Sequence, residues 1–367
     1  MAYEFRLDIS SPTGQKEAEL MNFLSLGASI GVNTIGAMTF EVDADHPAAS
    51  FLVENSHLDL YFHDDSIGLD WTLFYGGLLR SQIRDYSLQN RISVSSLSYL
   101  WYLSTRVIAY HSNYNNRSKF LSLPGETIMK EMVRYNCTGE ATTFNGRLLN
   151  GNVWPATIIQ IEDDEGRGAI QTWYCAQDGL QDSLQELAKI AGGDYDLVPL
   201  DTGFYEFRFY PGQLGVDRQS TVIFSVDRGN MGDAVYSESR IGEATVVLVG
   251  GQGDDATREF QVRTSSDYSA LRHIEVFQPA TQVVPGDLGG LNAEGDKKLI
   301  DTRATQKFEF ELIQTPATKF AKHYNLGDLV TAINPYNGLD VPQKIKTANL
   351  TLVKDQAPHL VVKAETP

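Results

Sequence analysis

Met38-Thr39-Phe40-Glu41-Val42, followed by Pro47-Ala48-Ala49-Ser50-Phe51, Asp59-Leu60 and Gly68-Leu69-Asp70, is the stretch that decides the fold. It returns near the other end of the chain as Phe308-Glu309-Phe310-Glu311-Leu312, Pro316-Ala317-Thr318-Lys319-Phe320, Asp328-Leu329 and Gly338-Leu339-Asp340, at an offset of 269 or 270 throughout. In both copies large apolar residues alternate with polar ones, the period of a half-buried strand. Two copies of one β-rich unit around an unrelated middle predict a chain that presents the same small fold twice. In a cyclic oligomer this doubles the apparent symmetry, so three chains can imitate a sixfold ring.

Outward from the first copy, residues 1–106 read as β-rich, with strand patterns at Ala37–Val42, Leu58–Phe62, Trp71–Leu79 and Arg91–Val94. Pro47 to Val53 predicts a brief helix with Pro47 in its first turn, His63–Ser66 a polar hairpin loop, and Gly76-Gly77 a bend in a strand. The middle, 107–224, changes character after the polar loop Asn113–Asn116. Pro124 opens a helix with Ile128, Met132 and Tyr135 on one face. A second helix carries Leu180, Leu184, Leu187 and Ala191 and stops at Gly192-Gly193. A strand through Tyr195 and Leu197, a turn at Asp201-Thr202-Gly203 and a strand at Phe204–Phe209 complete a small α+β region. Glu162-Asp163-Asp164-Glu165-Gly166 reads as a solvated acidic loop.

From 225 to 367 the β pattern resumes. Thr245–Val249 is an apolar run expected of a strand buried on both faces. Glu259–Arg263 and Arg272–Phe277 are further strands, and Pro285–Gly295 reads as a glycine- and proline-containing bridge into the second copy. Leu329–Ile333, Ile345–Leu352 and His359–Lys363 close the chain. The fold class expected is mainly β: two similar β-barrel domains, 1–106 and 225–367, bracketing one or two small α+β domains within 107–224. So little follows Glu365 that any appendage is expected to come from another polypeptide.

The chain has 367 residues, 42% hydrophobic and 21% charged, an ordinary globular composition. No signal peptide pattern opens it and no apolar run nears the roughly 20 residues of a membrane span, so a soluble protein made in a cytoplasm is expected. Its net charge is −17, from 47 acids and 30 bases. That argues against gripping nucleic acid, where affinity comes from basic residues displacing counterions. An acidic wall does suit the passage of DNA, which it repels.

No constellation of catalytic residues emerges. Gly250-Gly251-Gln252-Gly253 follows a strand, but no Lys-Ser/Thr comes after it and two acids do, so a hairpin turn is expected rather than a phosphate cradle. The seven histidines include no i, i+4 pair and no HExxH, and His46 and His63 lie beside acids only as an acidic chain allows; no metal is expected. Cys137 and Cys175 are too few for a thiolate zinc site and are expected as buried free thiols. The sequons at Asn116, Asn136 and Asn349 carry no weight without a secretory route. Trp71, Trp101, Trp154 and Trp173 suit core or interface anchors, with sugar-stacking platforms as the rival reading. Catalytic, cofactor and metal residues are therefore all expected to be absent.

Four features resemble one family. Leu58–Phe62 leads to Trp71-x-x-Phe74-Tyr75-Gly76-Gly77-Leu78-Leu79, and the helix Leu180–Ile190 runs into a hairpin ending Phe207-Arg208-Phe209-Tyr210. Gly229-Asn230-Met231 precedes Ala244–Gly250, and Leu326-Gly327-Asp328-Leu329-Val330 opens the last unit. The chain thereby resembles the tail hub, or baseplate hub, proteins of tailed bacteriophages and the N-terminal part of tail-associated proteins. The resemblance implies a homotrimer whose six barrels form a pseudo-sixfold ring at the virion tail tip. One face would meet the tail tube or distal tail protein and the tape measure protein's C-terminus, the other a fibre, spike or lysin. DNA would pass through without specific binding. Two rivals stand beside this structural role: the hub of a contractile injection system, and a carbohydrate-binding or carbohydrate-cleaving tail-tip protein.

Overall fold

The structure, a computed structural model, describes residues 3–87, 90–108, 118–139, 158–175, 177–200 and 204–366. The expected turn at 201–203, the loop at 113–116 and Trp154 lie outside the described residues.

The N-terminal unit contains β1 (Glu4–Ser10), β2 (Lys16–Leu20), β3 (Ser25–Gly31), β4 (Thr34–Asp43), β5 (His57–Asp64), β6 (Leu69–Asp85) and β7 (Arg91–Ser98). Alternate residues of β5 are buried along its whole length, as its sequence demands. A 3-10 turn at Pro47–Phe51 stands where a brief helix was expected, and His46 caps it by accepting the Ala48 N–H at 3.1 Å. The strands pair in the order β2-β1-β5-β6-β7-β4-β3. Three of them, β1, β2 and β3, gave no clear pattern in the sequence.

The middle follows as α1 (Trp101–Ser104), β8 (Ser118–Pro124), α2 (Gly125–Cys137), β9 (Ile159–Ile161), β10 (Ile170–Cys175), α3 (Leu180–Ala191), β11 (Gly193–Pro199) and β12 (Tyr205–Pro211). Both expected helices form. Ile128 and Met132 are buried on α2, and Leu180, Leu184 and Leu187 are buried on α3. Gly192 ends α3 in the left-handed region at φ 71°, which glycine adopts without a Cβ penalty. Strand β12 pairs with β11 on one side and β9 on the other.

The rest comprises β13 (Ile223–Phe224), β14 (Met231–Ser239), β15 (Val246–Gly250), β16 (Phe260–Thr264), β17 (Glu275–Pro279), α4 (Leu288–Asp301), β18 (Thr305–Leu312), β19 (Leu329–Ile333), β20 (Asp340–Val353) and β21 (His359–Glu365). One expectation is corrected here. The stretch 285–295 is not a bridge but leads into the 14-residue helix α4, capped by the Asp287 carboxylate, which accepts the Gly290 N–H at 2.8 Å. Its glycines permit close packing: a Cβ on Gly295 would come 2.7 Å from Val249 Cγ2. Strand β15 is buried on both sides of its pleat, at Val246 and Gly250 as at Val247 and Val249, with Leu248 alone exposed, at 39%.

The repeat seen in the sequence is a repeat in topology. Ladders run β5-β6-β7-β4-β3 in the first copy; in the second β19-β20-β21 are paired, β18 lies against β21, and β14 pairs with β18. Asp64 accepts the Ser66 N–H and Gly68 turns at φ 60°, while Asn334 accepts the Tyr336 N–H and Gly338 turns at φ 69°. Each hairpin is thus closed by the same Asx turn and the same left-handed glycine. The second half of each long strand carries a bulge against its neighbour, at Leu79/Ser81 in β6 and Ile345/Thr347 in β20. The copies differ in two places. Pro316–Phe320 is an open turn bridged through Thr315 and Thr318 rather than a 3-10 helix. A hairpin joins β3 to β4 through Val32 and Asn33, whereas β14 reaches β18 only after β15–β17 and α4.

Candidate assembly site

The two units meet side by side. Strand β3 pairs antiparallel with the second half of β20 from Ser25↔Val353 to Gly31↔Thr347, which joins the first copy's strands to β13, β19, β20 and β21 in one sheet of eleven strands, with β14–β18 a separate pair. Their apolar interiors are continuous: Phe74 of β6 meets Phe320 at 6.3 Å between ring centroids, edge to face.

Buried charges hold this joint. Lys319 Nζ lies 3.0 Å from Asp64 Oδ2, with the side chains 4% and 1% exposed, so the first hairpin is tied to the second copy. Burial opposes ionisation of Asp64, but hydrogen bonds from Ser66 and Lys319 hold its carboxyl below the usual range. Lys344 Nζ reaches Asp194 Oδ2 at 2.5 Å, both buried. The Asn33 amide donates to the other Asp194 oxygen at 3.0 Å, and the Leu214 N–H donates to Oδ2 at 2.7 Å. Asp194 therefore receives the β3–β4 turn, strand β20 and the stretch that follows β12 at once. Asp328 instead ties the stretch before β13 to the second copy: it accepts from Val216 N and Arg218 Nε, both at 2.7 Å, and from Asn325 N at 2.8 Å.

The N-terminal unit grips the middle through rings. Tyr99 Oη donates to Asp59 at 2.8 Å, and the His57 ring stacks on Tyr205 at 6.0 Å and 6°, with Nδ1 2.8 Å from Tyr205 Oη. Burial pushes the Asp59 carboxyl up to about 6, and the Tyr99 hydrogen bond only partly offsets it. Burial also lowers His57 below its ordinary value. Gly76 is required beside this cluster, because a Cβ there would lie 2.8 Å from both Asp59 Oδ1 and the Tyr99 ring.

Within the middle, the segment expected as a solvated acidic loop is in part an ion network. Lys130, 1% exposed, donates to Glu126 at 2.6 Å, Glu162 at 3.0 Å and the Asp163 carbonyl at 2.6 Å. Arg167 binds both oxygens of Glu126, at 2.7 and 2.9 Å. Burial would raise Glu126, yet these donors hold it at about 2.

Each described tryptophan has a ring or a cation stacked against it. Trp71 stacks on His63 at 5.2 Å beneath Arg6, Trp101 lies under Arg80 at 4.0 Å, and Trp173 is 4% exposed with Lys297 at 4.6 Å. Cys137 and Cys175 are buried free thiols, the latter pushed up to about 12 by burial. Gly250–Gly253 leads through a short 3-10 turn into β16, a hairpin connection as expected. Among the described residues no three His, Cys, Asp or Glu side chains are grouped to hold a metal ion, and no helix is long and apolar enough to cross a membrane. The chemistry on display is that of joints between sheets. Sequence reading missed Asp64, Asp194 and Lys319, whose partners lie 150 to 255 positions away.

The same arrangement recurs in solved structures. A tail protein from Neisseria meningitidis MC58 superposes with a TM-score of 0.57 at 10% identity, over 100% of this chain and 97% of that one. The 43 kDa tail protein of prophage MuSo2 from Shewanella oneidensis gives 0.52 at 15% identity, over 99% and 96%. A chain of the Francisella PdpA-VgrG complex gives 0.54 at 13% identity, over 100% of this chain and 58% of that one. At such identities the likeness is one of fold. No curated protein matches the sequence. The family described as Siphovirus ReqiPepy6 Gp37-like protein matches residues 6–362, nearly the whole chain, and the protein belongs to that family.

Proposed function

We propose that this protein is the structural hub of a virion tail tip: a homotrimer whose two similar units per chain form a pseudo-sixfold ring. Units near 1–106 and 225–367 would supply six alternating barrels, and 107–224 the threefold decoration. The ring would join the sixfold tail tube or distal tail protein, and the tape measure protein's end, to threefold fibre, spike or lysin components. It would surround the path by which DNA leaves. The observation that carries this reading is the joint between copies, where β3 of one and β20 of the other make a single sheet. A molecule that already sets two equivalent units edge to edge has taken one step of a ring.

The role is mechanical rather than catalytic, and the protein would be made in the host cytoplasm before joining the virion. Three copies carry a charge of −51, three times −17, which suits a channel that DNA must not stick to. A contractile injection hub is the second reading, supported by the fold shared with the PdpA-VgrG chain; membership of a siphovirus family weighs against it. The test is mass in solution with a low-resolution particle image. A threefold particle with six similar lobes is expected, and a chain that stays monomeric with and without its tail neighbours would overturn the proposal.

A further inference from the structure

The internal repeat leaves one edge filled in one copy and empty in the other. In the second copy, the half of β20 beyond its bulge, Thr347–Val353, pairs with β21 on one side and β3 on the other. The matching half of β6, Ser81–Asp85, pairs with β7 on one side, and among the described residues no strand pairs with the other. Conversely β3 is paired on both edges, with β4 and β20, whereas its counterpart β14 is paired only with β18. Each chain therefore has one open edge of each kind. They carry apolar side chains in water: Ile83 is 67% exposed and Tyr236 52%. Long exposed edges of this sort template pairing with another chain.

We propose that β14 of a second copy fills the open edge of β6, reproducing between chains the β3–β20 joint made within each chain. This rests on the trimeric hub reading and specifies its contact. The register follows from the template. Gly31 faces the first residue after the β20 bulge, Thr347, and Ala28 faces Met38 across β3–β4 as Tyr236 faces Phe308 across β14–β18. Carried over, Ser239 stands opposite Ser81, Ser237 opposite Ile83, and Tyr236 opposite Arg84, with the chains antiparallel. Glu238 is then the diagonal neighbour of Arg84, an opposite-charge pair. The contact is head to tail, so each chain offers β6 to one neighbour and β14 to the other, and every unit around the ring uses the same kind of edge.

The full-length chain with Ile83→Cys and Ser237→Cys, treated with a short bismaleimide, tests this. Cys137 and Cys175 are buried, so the unaltered chain serves as background. Most of the double variant is expected to shift to species of two and three chains, and each single variant to stay as one. A second variant, Ile83→Asp with Ser237→Asp, places like charges opposite each other at two exposed positions. It should weaken trimer formation at least tenfold while the monomer's melting temperature stays unchanged. A protein that is trimeric by mass but neither cross-links nor responds to the paired aspartates overturns this joint and leaves the hub reading standing. A chain that is monomeric throughout overturns both.

Discussion

At the scale of single residues, two carboxylates with opposite shifts give the protein a readable pH response. Glu126 is held at about 2, below its ordinary value, so its contribution to stability is complete above roughly pH 4.5 and is lost as pH falls through about 2. Asp59 is the reverse. Its folded form binds a proton more tightly than the unfolded chain does, so stability falls as pH rises from about 4 through about 6. Asp59→Asn keeps an acceptor for Tyr99 and should flatten the melting temperature between pH 4 and 6 while raising it at pH 8. An unchanged slope in thermal denaturation would assign that response elsewhere. Lys130→Ala should cost about 1–3 kcal/mol in urea unfolding, because the buried Glu126 would lose one of its two cations and keep only Arg167. None of these roles was legible in the sequence. Lys130 and Glu126 show the i, i+4 spacing of a surface pair, and only the packing of α2 makes them interior.

Among the secondary-structure elements, helix α4 and strand β3 show where sequence reading stops. Leu288-Gly289-Gly290 looked like a linker because glycine is a poor helix former. Its glycines instead answer a demand from outside the helix: a Cβ on Gly290 would approach Tyr174 Oη to 2.7 Å and Val283 Cγ1 to 2.8 Å. Gly290→Ala should therefore destabilise the protein by about 1–3 kcal/mol, as overpacking does. Hydrogen exchange should speed up in β15–β17 with β1–β7 unchanged; uniform change across both would refute the local account. Strand β3, Ser25-Leu26-Gly27-Ala28-Ser29-Ile30-Gly31, is too small and polar to announce itself. Its small side chains lie between β4 and β20, whose neighbours supply the apolar bulk. The α2 and α3 periodicities were legible because each helix buries one face against its own region.

For the whole molecule, the repeat was legible because the core positions of β4 and β18 must stay large and apolar in both copies. Its extent was not. The β3–β4 hairpin has become, in the second copy, a pair of strands parted by an inserted sheet and helix, so β14 does not look like β3 from its position in the chain. Net charge also acts at this scale. Protomers of charge −17 repel over a Debye length of about 10 Å at 0.1 M salt. The trimer proposed above should accordingly tighten between 0.02 and 0.2 M salt, as followed by sedimentation. Weakening over that range would point to attractive pairs as the main term in association.

The β3–β20 joint has a consequence for the way this chain is made. Its partners are separated by more than 300 positions, so β3 leaves the ribosome long before β20 exists. At about 5–20 residues per second that wait lasts roughly a quarter of a minute to a minute. Throughout it the nascent N-terminal unit shows two bare edges, β3 and the tail of β6, beside other chains on the same message. Contacts so distant in sequence are also slow to form. Early ribosomal neighbours can therefore swap strands, and a holdase would matter most to this protein while β20 is still unmade.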